Sequence, residues 1–251
     1  MSSSLSSSSS SSPPGQLLLL DHLNINHKSC DHSSIISFYR DTLGMVLDDR
    51  KPNPGLPPGR GTLWANGGAT QFHLSEGKPD PQVLDGVVHL AYSSPAALKS
   101  LSTRAALANV SVHSRAGPGT LTLNCPYGNT VTASVGEGDS RGGQPHTGPG
   151  TECKGITGLT LFVRDAEDLP GISRFYNAVF SLETRVAEGG KSLTIPFGPS
   201  QSVRFEEGPL LNQEYKDGEG PHVSMYVSDL EKVWTDAVEA FGEGVTYANP
   251  R

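Results

Sequence analysis

The chain of 251 residues contains an internal repeat, which restricts the fold to one built from two similar halves. In the first copy, residues 20–26 alternate between apolar and polar side chains, as in a half-buried strand, and a helical pattern follows that ends at Gly44. In the second copy, residues 156–161 carry the strand pattern, and a helical pattern follows again. The apolar positions of the two helical patterns are Ile35, Phe38, Tyr39 and Leu43 in the first copy and Ile172, Phe175, Tyr176 and Val179 in the second. Each half is therefore predicted to begin with a strand and a helix.

Each half is also predicted to contain two units of this kind. In the first half, the second unit has a strand over residues 87–93, a helix, and strands over 110–113, 120–124 and 130–135. In the second half, a helix is predicted from a capping box of Ser228 and Glu231 to Gly242. Its apolar stripe consists of Leu230, Val233, Trp234, Ala237, Val238 and Phe241. Only a short strand could follow before Arg251, so this fourth unit is predicted to be truncated.

Composition marks the boundaries between these parts. Ten serines fall within residues 1–15, a composition that cannot bury enough apolar surface to fold, so residues 1–16 are predicted to be a disordered tail. Residues 136–155 contain seven glycines and two prolines, which is typical of a linker. The sequence thus predicts a first domain over residues 17–135 and a second over residues 156–251.

Charge and apolar run lengths exclude several classes of partner. The formal net charge is -7 with no block of Lys and Arg, which argues against nucleic acid as a partner. The chain has no run of roughly 20 apolar residues, so we expect no membrane span. The three cysteines are widely spaced and odd in number, which favours a reducing compartment over a disulfide framework. We expect a cytoplasmic protein with a small-molecule ligand, although the serine-rich tail leaves organellar targeting open.

Three short motifs resemble the vicinal oxygen chelate superfamily, which includes glyoxalase I, extradiol dioxygenases, and fosfomycin-resistance and bleomycin-binding proteins. They are Leu-Asp-His at residues 20–22, Phe-Tyr-Arg-Asp-Thr-Leu-Gly-Met at residues 38–45, and the Cys-Pro-Tyr-Gly-Asn turn at residues 125–129. The resemblance covers residues 18–135 well and residues 156–251 more weakly. It implies an α+β fold of βαβββ modules in two tandem domains, the second truncated. Two modules at a time are expected to pair into a half-barrel sheet that forms a cup.

The resemblance also implies where a divalent metal would bind. In metal-using members, the ligands come from the first and last strands of two paired modules, and the matching positions in the first half are His22, His73, Val87 and Thr132. His89 lies two residues beyond Val87, so it shares the same face of its strand. The expected metal ligands are therefore His22, His73 and His89, with iron, zinc or manganese as the ion. The alternative is that these histidines are hydrogen-bonded wall residues of a polar cup.

Polar and aromatic residues near these positions are candidates for ligand contacts. Asn24 and Gln71 lie on the predicted strands that carry His22 and His73, so they are expected to line the same cup. Trp64 shares one face of a separate predicted strand over residues 62–66 with Asn66, and it either lines the cup or packs in the core. In the second half, Arg204 occupies a matching strand position, and its guanidinium could bind a carboxylate or phosphate. His222 is interpreted as a structural or substrate-contacting residue, because it has no partner ligands at the equivalent positions.

Two classes of function follow from this reasoning. The first is a metal-dependent lyase, isomerase, transferase or dioxygenase that acts on a substrate with two adjacent oxygens, with the ion stabilising the developing oxyanion. The second is a protein that binds or sequesters a small molecule without turnover, like the bleomycin-binding relatives. No catalytic residue is assigned, because the nearby carboxylates Glu76 and Glu137 both follow strand ends. The resemblance also allows for a homodimer, since such proteins commonly pair modules between chains.

Overall fold

The computed structural model describes residues 17–48, 61–76, 81–113, 119–138, 151–211 and 220–245. The predicted tail at residues 1–16 and residues 139–150 of the predicted linker lie outside these ranges. The described residues form an α+β fold with one sheet of five strands and one of seven. None of the helices in these ranges is both long enough and apolar enough to cross a membrane.

The described elements follow one another in the predicted alternation of strands and helices. The strands are β1 (Leu17–Asn24), β2 (Val46–Leu47), β3 (Leu63–Gly67), β4 (Thr70–Leu74), β5 (Gly86–Tyr92), β6 (Val112–His113), β7 (Thr120–Asn124), β8 (Thr130–Val135), β9 (Cys153–Val163), β10 (Ser192–Phe197), β11 (Gln201–Glu207) and β12 (His222–Val227). The helices are α1 (His32–Ile36), α2 (Pro95–Leu107), α3 (Leu169–Phe180) and α4 (Leu230–Phe241). Strand β9 begins at Cys153, inside the segment predicted as linker.

The two halves of the chain share both sheets. The strand order is β12-β1-β4-β3-β2 in one sheet and β10-β11-β9-β5-β8-β7-β6 in the other. Strand β1 pairs antiparallel with β12, and β5 pairs antiparallel with β9. The first unit therefore shares a sheet with the fourth, and the second with the third. The expectation that the first and second units form one cup is therefore wrong. The sequence could not predict the pairing, because the alternation of side chains along a strand determines its two faces but not its hydrogen-bonded neighbour.

The helix that follows β1 matches its predicted apolar face. Helix α1 continues as a π-helical turn over Ser37–Thr42, and the side chains of Ile35, Phe38 and Tyr39 are all buried. Gly44 has a φ of 74°, a conformation that glycine adopts without strain, and it ends the helix where the sequence predicts.

Helix α4 differs from its prediction at the cap and in its burial. Asp229, rather than Ser228, caps the helix, since its side chain accepts a hydrogen bond from the Lys232 backbone N–H. Of the predicted apolar stripe only Ala237 is buried, and Leu230 is 74% exposed. Most of the apolar stripe of α4 is therefore at least partly exposed in the part of the chain that the structure describes.

Gln201 joins the two sheets through its side chain. Its Oε1 accepts a hydrogen bond from the Leu20 N–H at 3.0 Å, and its Nε2 donates to the carbonyl oxygens of Leu20 at 3.0 Å and Ile156 at 2.8 Å. The residue is 4% exposed, so water does not replace these bonds easily. One amide on β11 therefore ties β1 of the five-stranded sheet to β9 of the seven-stranded sheet.

Replacing Gln201 by methionine should lower the free energy of unfolding by about 2–4 kcal/mol, because buried backbone groups of both sheets lose their partner. Urea denaturation followed by circular dichroism measures this change. Thr194→Met, at an exposed position of the neighbouring strand β10, is the control and should change stability little. Equal stability of Gln201→Met and wild type would contradict the role assigned to this amide.

Candidate functional site

One face of the five-stranded sheet carries the predicted site residues of the first half. In the parallel pair of β1 and β4, His22 lies opposite Gln71 and Asn24 lies opposite His73. In the antiparallel pair of β3 and β4, Trp64 lies opposite His73 and Asn66 lies opposite Gln71. Opposite residues of paired strands project from the same face. We call this face the polar cup and define it by His22, Asn24, Trp64, Asn66, Gln71 and His73.

The other face of the same sheet is apolar and packs on the first helix. Leu23, Ala65 and Phe72 alternate with the residues of the polar cup and are at most 1% exposed. The Phe72 ring lies 5.1 Å from that of Tyr39 in the π-helical turn. Burial of this face fixes the register of β1, β3 and β4, since a shift of one residue would exchange the two faces. The core therefore determines which side chains enter the polar cup.

The rings of His22 and His73 are stacked in the polar cup. Their centroids lie 3.6 Å apart, with 19° between the ring planes. The two residues come from the first and last strands of the first unit, 51 positions apart in the sequence. The Trp64 ring is nearly perpendicular to the His73 ring, with 81° between the planes and 6.3 Å between the centroids. The structure thus places three predicted site residues in one aromatic group.

A bulge in β1 orients the His22 ring. The pairing of β1 with β12 shifts register between Leu20 and His22, so Asp21 is the extra residue on its strand. Neighbouring residues on a regular strand point to opposite faces, but here Asp21 Oδ2 lies 2.8 Å from His22 Nδ1. The carboxylate accepts the Nδ1–H of His22, which leaves Nε2 of the neutral ring as the acceptor.

Amide side chains hold the second histidine. The Nε2–H of His73 donates to Gln71 Oε1 at 2.6 Å, and Gln71 Nε2 donates in turn to Asn66 Oδ1. Gln71 is 4% exposed and Asn66 is 3% exposed, so this chain of hydrogen bonds is shielded from water. Asn24 accepts a hydrogen bond from the Ser75 hydroxyl at 3.1 Å. The polar cup is therefore a preorganised network of donors and acceptors.

Comparison with known proteins identifies the fold. No model of a protein family matches this sequence, and no curated protein sequence matches it. A candidate dioxygenase from Bacillus subtilis subsp. subtilis str. 168 aligns with a TM-score of 0.62 and 18% identity over 90% of this chain and 76% of its own. Glyoxalase I from Zea mays aligns with a TM-score of 0.55 and 15% identity over 91% of this chain and 80% of its own. This chain has the vicinal oxygen chelate fold. Because the identities are low, the likeness extends to the fold and not to the reaction.

The vicinal oxygen chelate fold raises the question of a metal, and the donors in the polar cup do not fit one as they are arranged. A metal lies in the plane of each imidazole that binds it, along the nitrogen lone pair, and catalytic sites use three protein ligands. The planes of His22 and His73 are stacked and nearly parallel, so their lone pairs do not meet at one point. Among the described residues, no group of three His, Cys, Asp or Glu side chains could hold an ion.

His89, the third expected ligand, lies in the other sheet. It is on β5, where its Nδ1 is 2.6 Å from the Thr132 hydroxyl and its Nε2 is 2.8 Å from the Thr160 hydroxyl. Burial lowers the pKa of His89, and the charge of Glu206 offsets part of that effect. The structure therefore brings His22 and His73 together but not His89. The reason is that β5 pairs with β9 rather than with β1.

Arg204 also lies away from the polar cup. It is on β11 of the seven-stranded sheet, opposite Thr160 of β9, and its Nε donates to Glu206 Oε2 at 2.8 Å. Of the predicted ligand contacts, Asn24, Trp64 and Gln71 therefore share the polar cup, and Arg204 belongs to the second sheet.

Strand β12 adds two residues to this region that the sequence did not assign to it. Ser224 lies opposite His22, and His222 lies opposite Asn24, so both positions continue the face of the polar cup. The sequence grouped His222 with the second half because it follows the linker. The repeat pattern in the sequence predicts that β12 is the first strand of a unit, but only the pairing with β1 shows which sheet it joins.

The His89 contacts predict a pH-dependent stability. Its pKa in the folded chain is below the ordinary value of about 6.5, so the unfolded chain takes up the proton first as the pH falls. The stabilisation by neutral His89 is therefore present above pH ~6.5 and is lost below it. In thermal unfolding followed at stepwise lower pH, His89→Gln should lose less stability on acidification than wild type does.

His113→Gln, at an exposed position of β6, is the control for this measurement and should keep the wild-type pH dependence. At neutral pH, His89→Gln should itself cost about 1–2 kcal/mol, since one of two hydrogen bonds is lost. The same slope in wild type and His89→Gln would show that His89 is not the group responsible.

Proposed function

We propose that the protein binds a small polar organic molecule in the polar cup, without chemical turnover. The stacked pair of His22 and His73 carries this proposal, because two imidazoles held by Asp21 and Gln71 form a flat surface with fixed hydrogen-bonding edges. Trp64 adds a third aromatic ring beside His73. Pockets with apolar or aromatic walls and a few fixed polar groups are the usual form of small-molecule sites.

The polar groups of the cup favour a ligand with adjacent oxygen atoms. Nε2 of His22 is an acceptor in the neutral ring, so it suits a hydroxyl donor. The Asn24 side chain, whose Oδ1 accepts a hydrogen bond from Ser75, can donate from its amide nitrogen to a neighbouring carbonyl or hydroxyl oxygen. A planar ligand of this kind would also pack against the imidazole faces.

A second candidate function is a metal-dependent lyase, isomerase, transferase or dioxygenase. The observation that favours it is that His22 and His73, from the first and last strands of one unit, lie side by side. Iron, zinc or manganese would then require a turn of one ring and a further donor. The bound ion would supply Lewis-acid chemistry. We also propose, for either function, that the protein forms a homodimer and is located in the cytoplasm.

Fluorescence of Trp64 separates the two candidates. In the Trp234→Phe variant, Trp64 is the only tryptophan, so its emission reports on the polar cup. Catechol and hydroxyacetone, which carry adjacent oxygens, should change this emission saturably in the presence of a chelator. His22→Ala should weaken the binding by about tenfold, the effect of one strong hydrogen bond. His113→Ala in the same background is the control and should bind like its parent.

Metal analysis of the protein purified without chelator completes the test. Near-stoichiometric iron, zinc or manganese that is lost in both His22→Ala and His73→Ala would favour the metal-dependent enzyme. Binding of catechol or hydroxyacetone that requires one of these ions would also favour the metal-dependent enzyme. If neither probe changes the emission, with or without added ions, the assignment of the polar cup as a small-molecule site is wrong.

A further inference from the structure

The seven-stranded sheet carries a row of charged residues at the ends of β9 and β11. These strands pair in parallel, with Arg204 opposite Thr160 and Glu206 opposite Phe162. Arg164 follows Phe162 by two positions, so it continues the same face just beyond the end of β9. The side chains of Arg204, Glu206 and Arg164 therefore stand on one face, on neighbouring strands.

A cleft of about 490 Å³ opens at this place. Its lining residues are Arg164, Lys191, Arg204, Glu206, Glu207 and Gly208. We call it the cationic cleft, because three of these residues are positive and two are negative. Lys191 precedes β10, which pairs with β11, so the three cations come from three adjacent strands. Gly208 leaves the end of β11 without a side chain, since a Cβ there would lie 2.5 Å from the Phe162 ring.

The charges in the cationic cleft are only partly compensated. Glu206 Oε2 accepts a hydrogen bond from Arg204 Nε, which holds the guanidinium and leaves its terminal nitrogens for another partner. Arg164 and Lys191 form no ion pair with any residue that the structure describes. In a chain with a formal net charge of -7, such a local excess of positive charge attracts anions.

The chemistry of these side chains defines the ligand. A guanidinium held by one carboxylate can bind a second planar or tetrahedral anion through its two terminal N–H groups. Lys191 and Arg164 add point charges on either side. Glu206 and Glu207 repel any negative charge of a ligand that is not bound by the three cations. The cleft therefore favours a ligand with one compact anionic group over a polyanionic chain.

We propose that the cationic cleft is a second ligand site, separate from the polar cup, that binds the carboxylate or phosphate group of a small organic molecule. Arg204 is the principal contact, Lys191 and Arg164 complete the anion site, and Gly208 keeps it open. The site does not depend on the imidazoles of the polar cup, which belong to the other sheet.

Titration of the full chain with anions, followed by amide chemical shifts in NMR spectra, tests this site. The probes are sodium phosphate and sodium succinate, added separately at constant low ionic strength. At least one should cause saturable shifts at Glu206 and Gly208. The double variant Arg204→Gln and Lys191→Gln should weaken this binding by about tenfold or more, the effect of a charge-assisted hydrogen bond. Arg174→Gln, an exposed arginine on α3 outside the cleft, is the matched control and should bind like wild type.

The outcomes separate the sources of the anion. Shifts with phosphate alone assign the site to a phosphorylated molecule, shifts with succinate alone assign it to a carboxylate, and shifts with both support the anion site in general. Absence of saturable shifts with both probes overturns the proposal. The proposal also fails if the double variant binds as tightly as Arg174→Gln, because the cations of the cleft would then not hold the anion.

Discussion

The antiparallel pairing of β1 with β12 and of β5 with β9 holds the rest of the structure in place. These two contacts join strands from opposite halves of the chain, so neither sheet is complete within one half. Gln201 adds side-chain bonds between the sheets at the same junction. The bulge that lets Asp21 reach His22 is itself part of the β1–β12 ladder. The geometry of the candidate site therefore depends on residues from both ends of the described chain.

The polar cup shows how a half-buried sheet face can hold a set of fixed polar groups. Buried amides and half-buried imidazoles lose hydration, and the fold compensates by linking them to one another in a chain of hydrogen bonds from His73 through Gln71 to Asn66. The result is a hydrogen-bonded set of donors and acceptors beside the Trp64 ring. Such a surface is suited to recognising an organic ligand directly, whereas the parallel imidazole planes do not converge on an ion.

The two sheets carry different chemistry on the same framework. In the five-stranded sheet, the polar face presents imidazoles and amides. In the seven-stranded sheet, the corresponding face has His89 held between two threonine hydroxyls, with charged residues towards the end of β11. Similar strand patterns in the two sheets therefore do not imply the same site, because the alternation that fixes the core leaves the other face free to vary.

The sequence by itself determined the order of strands and helices and the face on which each strand buries its side chains. Apolar alternation places Leu23 and Phe72 in the core, and this puts His22 and His73 on the opposite face, where they meet. It could not determine which strands pair, because β1 beside β5 and β1 beside β12 satisfy the same alternation. Only the tertiary structure decided that pairing. For that reason it separated His89 from the other two histidines and placed Arg204 in the cationic cleft of the other sheet. It also brought His222 beside the polar cup.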